Sequence, residues 1–333
     1  MRRRALLGLA ATALASPALP APAWAQSAAG QGAGLPDQPI RIVVPFAAGG
    51  PTDIPARLLA EELGKVLPQR PVVDNRTGAG VVVGTDAVAK SAKDGATLLY
   101  TTVAHSALRA MFARLPFDPL ADLQPVALVG VIPMVLMANR DLPVNSLADL
   151  IALYRASPGK YDYGSAGNGS ALHLAAELFL REAGGLKVTH VPYRGSAAAM
   201  PDLLNGTTTM MLDVANNTLP YVQRGEVKGL AVSSARRIPQ LPEVPTFAEA
   251  GLPGYEAYTW HMVMAPRGTP EPVVTALNRT INGVLAKPEV QQRLADLALQ
   301  VRTDSTPASA EAWLRAETAK WEPIIRGAGI KPD

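Results

Sequence analysis

The chain has 333 residues, no cysteine, 48% hydrophobic and 18% charged residues, and a formal net charge of +3. That length exceeds one ordinary core and points to about two domains, while the apolar content argues against wholesale disorder. Without cysteine there are no disulfides, thiolate zinc sites, iron–sulfur clusters, cysteine nucleophiles or cysteine-linked lipid anchors.

Residues 1–25 read as an export signal. Arg2, Arg3 and Arg4 form a basic start, Ala5 to Ala15 an apolar stretch, and Ala23-Trp24-Ala25 a small-x-small cleavage pattern before Gln26. A Sec signal and a twin-arginine signal both fit. The leader's three arginines account for the whole formal +3, so the remainder is neutral. A neutral chain with no dense Lys/Arg stripe is not built to hold nucleic acid. No later apolar run reaches the roughly 20 residues that span a bilayer. The expectation is an exported, periplasmic protein, with 26–36 a flexible Gly/Ala/Ser-rich lead-in.

Short β-favouring runs then alternate with helical ones. Ile40 to Val44 predicts a strand. Asp53 to Leu67 predicts a helix with Ile54, Leu58, Leu59, Leu63 and Leu67 on one side. Val72-Val73 predicts a strand, Gly84 to Ala92 a helix and Thr97 to Thr101 a strand; this order implies a largely parallel sheet. Val126 to Ala138 is strand-like, with a break expected at Pro133. Ser146 opens a helix through Arg155, with Asp149 as an acidic capping-box partner. Tyr161 to Tyr163, Val188 to Val191, Met210 to Leu212 and Gly229 to Val232 read as strands; Ser170 to Ala183 and Ala197 to Leu204 read as helices. Further helices start near Pro270, Pro288 and Pro307, since proline suits a first turn.

Several strand-to-helix turns share one chemistry. In Pro45-Phe46-Ala47-Ala48-Gly49-Gly50-Pro51-Thr52-Asp53, two glycines allow close backbone approach and Thr52 or Asp53 caps the next helix. Gly164-Ser165-Ala166-Gly167-Asn168-Gly169-Ser170 and Pro192-Tyr193-Arg194-Gly195-Ser196 repeat that design, and Arg194 adds a cationic fork suited to carboxylate. Thr101-Thr102 adds hydroxyls at another strand end. Helix starts favour anions, and ligands of open α/β sheets sit beyond the strands' carboxyl ends.

These turns, with Asp74-Asn75-Arg76-Thr77-Gly78-Ala79-Gly80 and Pro242-Glu243-Val244-Pro245-Thr246-Phe247-Ala248-Glu249-Ala250-Gly251, resemble in order the Bug/TctC family of periplasmic solute receptors, from about Pro39 to Ile330. The resemblance implies an α/β, two-lobed, type II periplasmic-binding-protein (Venus flytrap) fold with a central cleft. Lobe 1 would comprise 37–127 plus 252–333, and lobe 2 would comprise 128–251. It implies a small organic anion, usually a carboxylate, contacted by Phe46, Ala47, Ala48, Gly49, Thr52 and Asp53 from one lobe. Ser165, Gly167, Asn168, Ser170, Tyr193, Arg194, Gly195 and Ser196 would contribute from the other. Thr102 adds a hydroxyl, and the position matching Asp213 faces the cleft. Membrane permease subunits would be the partner, and the receptor a monomer. The chain departs from the family pattern at Thr77 and at Val81-Val82-Val83, and Thr101-Thr102-Val103-Ala104-His105 falls where the family is variable.

No cofactor, metal or catalytic residue is expected. Gly78-Ala79-Gly80 to Gly84 is spaced G-x-G-x-x-x-G, not as a dinucleotide turn, and reads as a tight turn. No Gly-x-Ser-x-Gly surrounds a serine, and His105, His173, His190 and His261 are scattered. Trp260 and Trp313 read as core or hinge packing. A hydrolase or other small-molecule enzyme on the same scaffold is the rival class, opposed by the missing nucleophile–base pair.

Overall fold

The alternation read from the sequence becomes one mixed sheet with helices packed on it, in a computed structural model that describes residues 34–332. The leader and most of the lead-in lie outside the described residues. In chain order the first elements are β1 (Arg41–Val44), α1 (Asp53–Leu63), β2 (Val72–Asn75), α2 (Val82–Ala89), β3 (Thr97–Thr101) and α3 (Ala104–Met111). Then follow β4 (Leu123–Asn139), α4 (Leu147–Ala156), β5 (Asp162–Ser165), α5 (Ala171–Glu182), β6 (Thr189–Pro192), α6 (Ser196–Asn205), β7 (Met210–Val214) and α7 (Ala215–Gln223). The chain closes with β8 (Val227–Val232), β9 (Tyr258–Pro266), α8 (Glu271–Leu285), α9 (Pro288–Asp296), β10 (Gln300–Val301) and α10 (Pro307–Gly327).

The sheet order is β2-β1-β3-β9-β4-β7-β5-β6, with β8 and β10 pairing β4 off that path. β1 runs parallel to β2 and β3, and β5 runs parallel to β6 and β7, as the βαβ rhythm requires. β9 is antiparallel to both β3 and β4. The fold is two-lobed and α/β, and β4 is the strand common to both halves of the sheet. Leu123 to Pro133 pair with β9; from Met134 onward the partners are β7 and β8.

The expected break at Pro133 does not occur. Proline lacks an amide, so it fits where the ladder changes partners, and the strand runs through. The next amide, Met134 N–H, is satisfied by the Ser233 hydroxyl at 2.8 Å, and Ser233 N–H returns to Met134 O at 2.8 Å. Almost every residue of β4 is buried, as a strand covered on both faces demands.

Four elements went unanticipated, the two-residue β10 being the shortest. β9 carries β-favouring Tyr258, Thr259, Trp260 and Val263, but its partners lie more than a hundred residues upstream. α3 has only eight residues, and α7 contains Asn216, Asn217 and Pro220, all poor helix formers that tertiary packing overrides. The first helix ends at Leu63 because Gly64 takes the C-cap, and Ile54, expected on its apolar side, is 44% exposed.

Trp260 and Trp321 are fully buried, and both indole N–H groups donate to Glu317 Oε2, at 3.1 and 2.8 Å. This shared acceptor docks the last helix against the back of β9. α10 also packs on α3, β4 and α5.

Candidate functional site

Five junctions, those after β1, β3, β5, β6 and β7, bring helix N-termini to one hollow. After β1 the chain turns at Gly49, whose φ of +76° suits glycine. A Cβ there would meet nothing within 4 Å, so glycine is required by conformation and not by space. Gly49 N–H donates to Asp53 Oδ2 at 2.8 Å, Arg57 Nε to the same oxygen at 2.7 Å, and Asn75 Nδ2 to Oδ1 at 2.8 Å. Asn75 Nδ2 also reaches Phe46 O at 3.0 Å. Burial pushes the Asp53 carboxyl upward, but these donors outweigh it and hold it below the usual carboxylate range.

After β5, the Ser165 hydroxyl accepts from Gly167 N–H at 3.1 Å and bonds His190 Nε2 at 2.6 Å. Ser170 caps α5 through His173 N–H, while Gly169 N–H donates to His173 Nδ1 at 3.1 Å. The His173 and His190 rings stack at 3.8 Å. Burial, with His190 adding to it, pushes the His173 imidazole down to about 3, so it stays neutral. After β6, Gly195 N–H reaches Ala166 O at 3.3 Å, which ties the third turn to the second.

After β7, Asp213 is fully buried. Val214 N–H donates to its Oδ1 at 2.7 Å, and Asn217 Nδ2 lies 3.5 Å from Oδ2 and 3.0 Å from Ser196 Oγ. Burial pushes Asp213 up to about 7 despite these contacts.

The hollow has a volume of about 290 Å³ and joins a second of about 400 Å³ through Gly50, Pro51, Ser196, Asp213 and Asn217. Of the residues expected from sequence, Phe46, Ala47, Thr52 and Thr102 border the inner hollow from one side. Ser170, Gly195, Ser196 and Asp213 border it from the other, and Gly49 borders the adjoining one. Ala48, Asp53, Ser165, Gly167, Asn168, Tyr193 and Arg194 border neither. Asp53 and Ser165 sit behind their turns and brace them. The Tyr193 hydroxyl donates to Asp202 at 2.5 Å, and Arg194 is exposed. No lysine or arginine lines either hollow, so the donors on offer are backbone amides, hydroxyls, the Asn216 and Asn217 side-chain amides and the His261 ring.

Sequence reasoning missed Asn217 and Thr259, and read His261 only as one of four scattered histidines in polar packing or cleft positions. The Asn216-Asn217 pair just past the Asp213 strand end was a usable signal. Thr259 and His261 needed β9 to be recognised, since alternation then puts both on one face. Among the described residues no group of three His, Cys, Asp or Glu is placed to hold a metal, and no helix is long and apolar enough to cross a membrane.

Residues 55–330 match the tripartite tricarboxylate transporter family receptor. Protein BugT of Bordetella pertussis is 39% identical over 299 residues, covering 89% of this chain and 91% of BugT. The periplasmic binding protein BugD superposes with a TM-score of 0.78 at 36% identity, covering 89% of this chain and 99% of BugD. R. palustris Rpa4515, solved with adipate, gives 0.79 at 37% identity, covering 89% and 98%.

Proposed function

The chain belongs to the tripartite tricarboxylate transporter receptor family, and from that premise we propose that it is an exported receptor which holds a small organic carboxylate between its lobes and releases it unaltered to membrane permease subunits. The observation that carries this reading is the convergence of five helix N-termini on a hollow with no basic side chain. Each helix start presents main-chain amides and a positive dipole end, and low-dielectric walls strengthen both. The adipate in Rpa4515 supports the carboxylate class.

In this reading lobe 1 is 37–127 plus 252–333 and lobe 2 is 128–251; the partner change within β4 supports a boundary in that strand. Phe46, Ala47, Gly49, Thr52 and Thr102 act from lobe 1; Ser170, Gly195, Ser196 and Asp213 act from lobe 2. Ala48, Asp53, Ser165, Gly167, Asn168, Tyr193 and Arg194 shape the turns that carry them. Both sets engage one ligand only when the lobes are shut, so the ligand shifts the population toward the shut form. Asp213, pushed up to about 7, meets the ligand as a hydrogen-bond donor when protonated and as an ammonium partner when ionised. The leader in 1–25 supports export to the periplasm, and the receptor acts as a monomer without cofactor or turnover.

The test is a thermal-shift screen of the purified protein against organic acids, followed by calorimetry and recovery of the bound acid. At a hundredfold excess over Kd a ligand stabilises by about 2.7 kcal/mol, a clear rise in Tm. A flat response to every mono-, di- and tricarboxylate, or an acid recovered chemically changed, would defeat the proposal.

A further inference from the structure

We propose that His261 is a specificity-determining ligand contact that selects a hydroxyl group on the bound carboxylate, so that the solute is a hydroxycarboxylate. The inference rests on the receptor reading above and narrows its substrate class.

β9 presents alternate residues to opposite sides. Trp260 turns back to Glu317, while Thr259 and His261 border the inner hollow. His261 is 1% exposed, yet neither Nδ1 nor Nε2 has a hydrogen-bond partner. It is the one histidine among the described residues with both ring nitrogens in that state: His105 reaches Pro119 O, His173 accepts from Gly169 N–H and His190 bonds Ser165. Its ring neighbour is Tyr100, at 5.5 Å and tilted 56°, whose hydroxyl is also buried without a partner. An orphaned buried polar group is costly, and native interiors rarely keep one unless something else satisfies it. Leucine or phenylalanine would fill the same place without that cost. The position of His261 on the wall of the hollow supplies the missing partner: a group on the bound solute.

The kind of group follows from the chemistry of imidazole. Burial pushes His261 down to about 3, and no charged side chain contributes to that shift, so the ring is neutral. A neutral ring offers one N–H donor and one lone pair. A carboxylate oxygen can only accept, and an ammonium can only donate. A hydroxyl does both, and so pairs with either tautomer, whereas a carboxylate here would hold the N–H toward the hollow and place its charge beside a wall without lysine or arginine. The flanking Thr102 and Thr259 are themselves hydroxyl-bearing and add a second partner of either sense. The negative charge is served elsewhere, at the helix starts. The solute therefore carries its carboxylate toward the glycine turns and its hydroxyl toward β9.

The experiment uses isothermal titration of the purified protein with matched acids differing by one hydroxyl: malate against succinate, citrate against tricarballylate, and 4-hydroxybenzoate against benzoate. The expected result is a hydroxy acid bound about tenfold or more tightly than its deoxy partner, because losing the hydroxyl strands a buried group. His261→Phe should bring that ratio to within about twofold. His261→Gln, which keeps a donor and an acceptor, should restore part of it. A wild-type protein that binds each deoxy acid as tightly as its hydroxy partner overturns the proposal without needing any variant, and so does a His261→Phe protein that keeps the tenfold preference. Absence of binding by every acid, in this series and in the wider screen, is a different failure, that of the carboxylate receptor reading itself.

Discussion

The turn at Phe46–Asp53 and the turn at Gly164–Ser170 present the same small, amide-rich surface to the hollow, but they are braced by opposite means. Behind the first lies an ionised network: Asp53, 1% exposed, accepts from Gly49, Arg57 and Asn75. Behind the second lie neutral groups: Ser165 between Gly167 and His190, and His173 accepting from Gly169 while stacked on His190. An anion site needs donors in front and satisfied acceptors behind, and either chemistry meets that need at neutral pH. They part in acid. Asp53, held below its ordinary value, contributes stability that is present above 3.8 and fades only as pH falls through its lowered folded value. His173, pushed from 6.5 down to about 3, contributes stability that is full above 6.5 and is lost progressively between 6.5 and about 3. Mild acid should loosen the second turn while the first holds.

The strongest way to break this comparison is Asp53→Ala. It removes the acceptor shared by the Gly49 amide, the Asn75 side-chain amide and the Arg57 guanidinium, leaving Asn75 Nδ2 only Phe46 O and Arg57 only Asn75 Oδ1. The expected cost is about 3 kcal/mol in urea unfolding at pH 7, with acid binding lost because the turn no longer holds its shape. A variant that unfolds within about 1 kcal/mol of the parent and still binds would show that the network is ornamental.

His173→Asn sharpens the pH half of the argument. Asparagine keeps an acceptor for Gly169 N–H but does not titrate. Protonation of an unfolded histidine between pH 7 and pH 5 costs the native state about 2 kcal/mol when the folded ring stays neutral. The stability gap between parent and variant should therefore narrow by about that much over this range. The groups facing the ring, His190 stacked on it and Glu177 at 3.9 Å, are the same in both proteins. So are His105 and His261, pushed down by burial to about 4 and about 3. Asp213 works in the opposite sense, since its raised folded value favours the native state as pH falls from about 7 toward 3.8, and it too cancels in the difference. Parallel pH profiles would mean that His173 is not the acid-sensitive brace.

The fronts of these turns were legible in the sequence and their backs were not. Glycines, hydroxyls and a following helical period are local signals, so the sequence alone places Gly49, Thr52, Ser170 and Ser196 at strand ends. Asp53 could be read as a cap or a ligand contact; its bracing role depends on Asn75, 22 positions on, which no local pattern reveals. Arg194 was attractive by chemistry alone, yet it stands exposed outside both hollows. The far wall escaped for the same reason of distance: β9 pairs with β3 and β4 across more than a hundred residues, and without that strand His261 is merely one of four scattered histidines. The continuous β4 was half legible, because a proline that ends most strands also fits a point where the ladder changes hands.

The smallest expected effect separates conformational strain from crowding in the two turns. Gly49 and Gly169 both have positive φ, +76° and +69°, so alanine at either costs about 1 kcal/mol in backbone strain. Beyond that they differ. A Cβ at Gly49 meets nothing within 4 Å, whereas one at Gly169 would collide with Met111 Sδ at the end of α3. The Met111 side chain is flexible enough to yield, so Gly169→Ala should fold, but the sulfur must move away from the turn. Gly169→Ala should accordingly cost a few tenths of a kcal/mol more than Gly49→Ala and show a coupling of at least about 0.5 kcal/mol with Met111→Ala in a double-mutant cycle. The same Met111→Ala change should show none with Gly49→Ala. Equal coupling at both positions would mean that Met111 acts on the site as a whole, and that contact between α3 and the second turn has no special part in holding it.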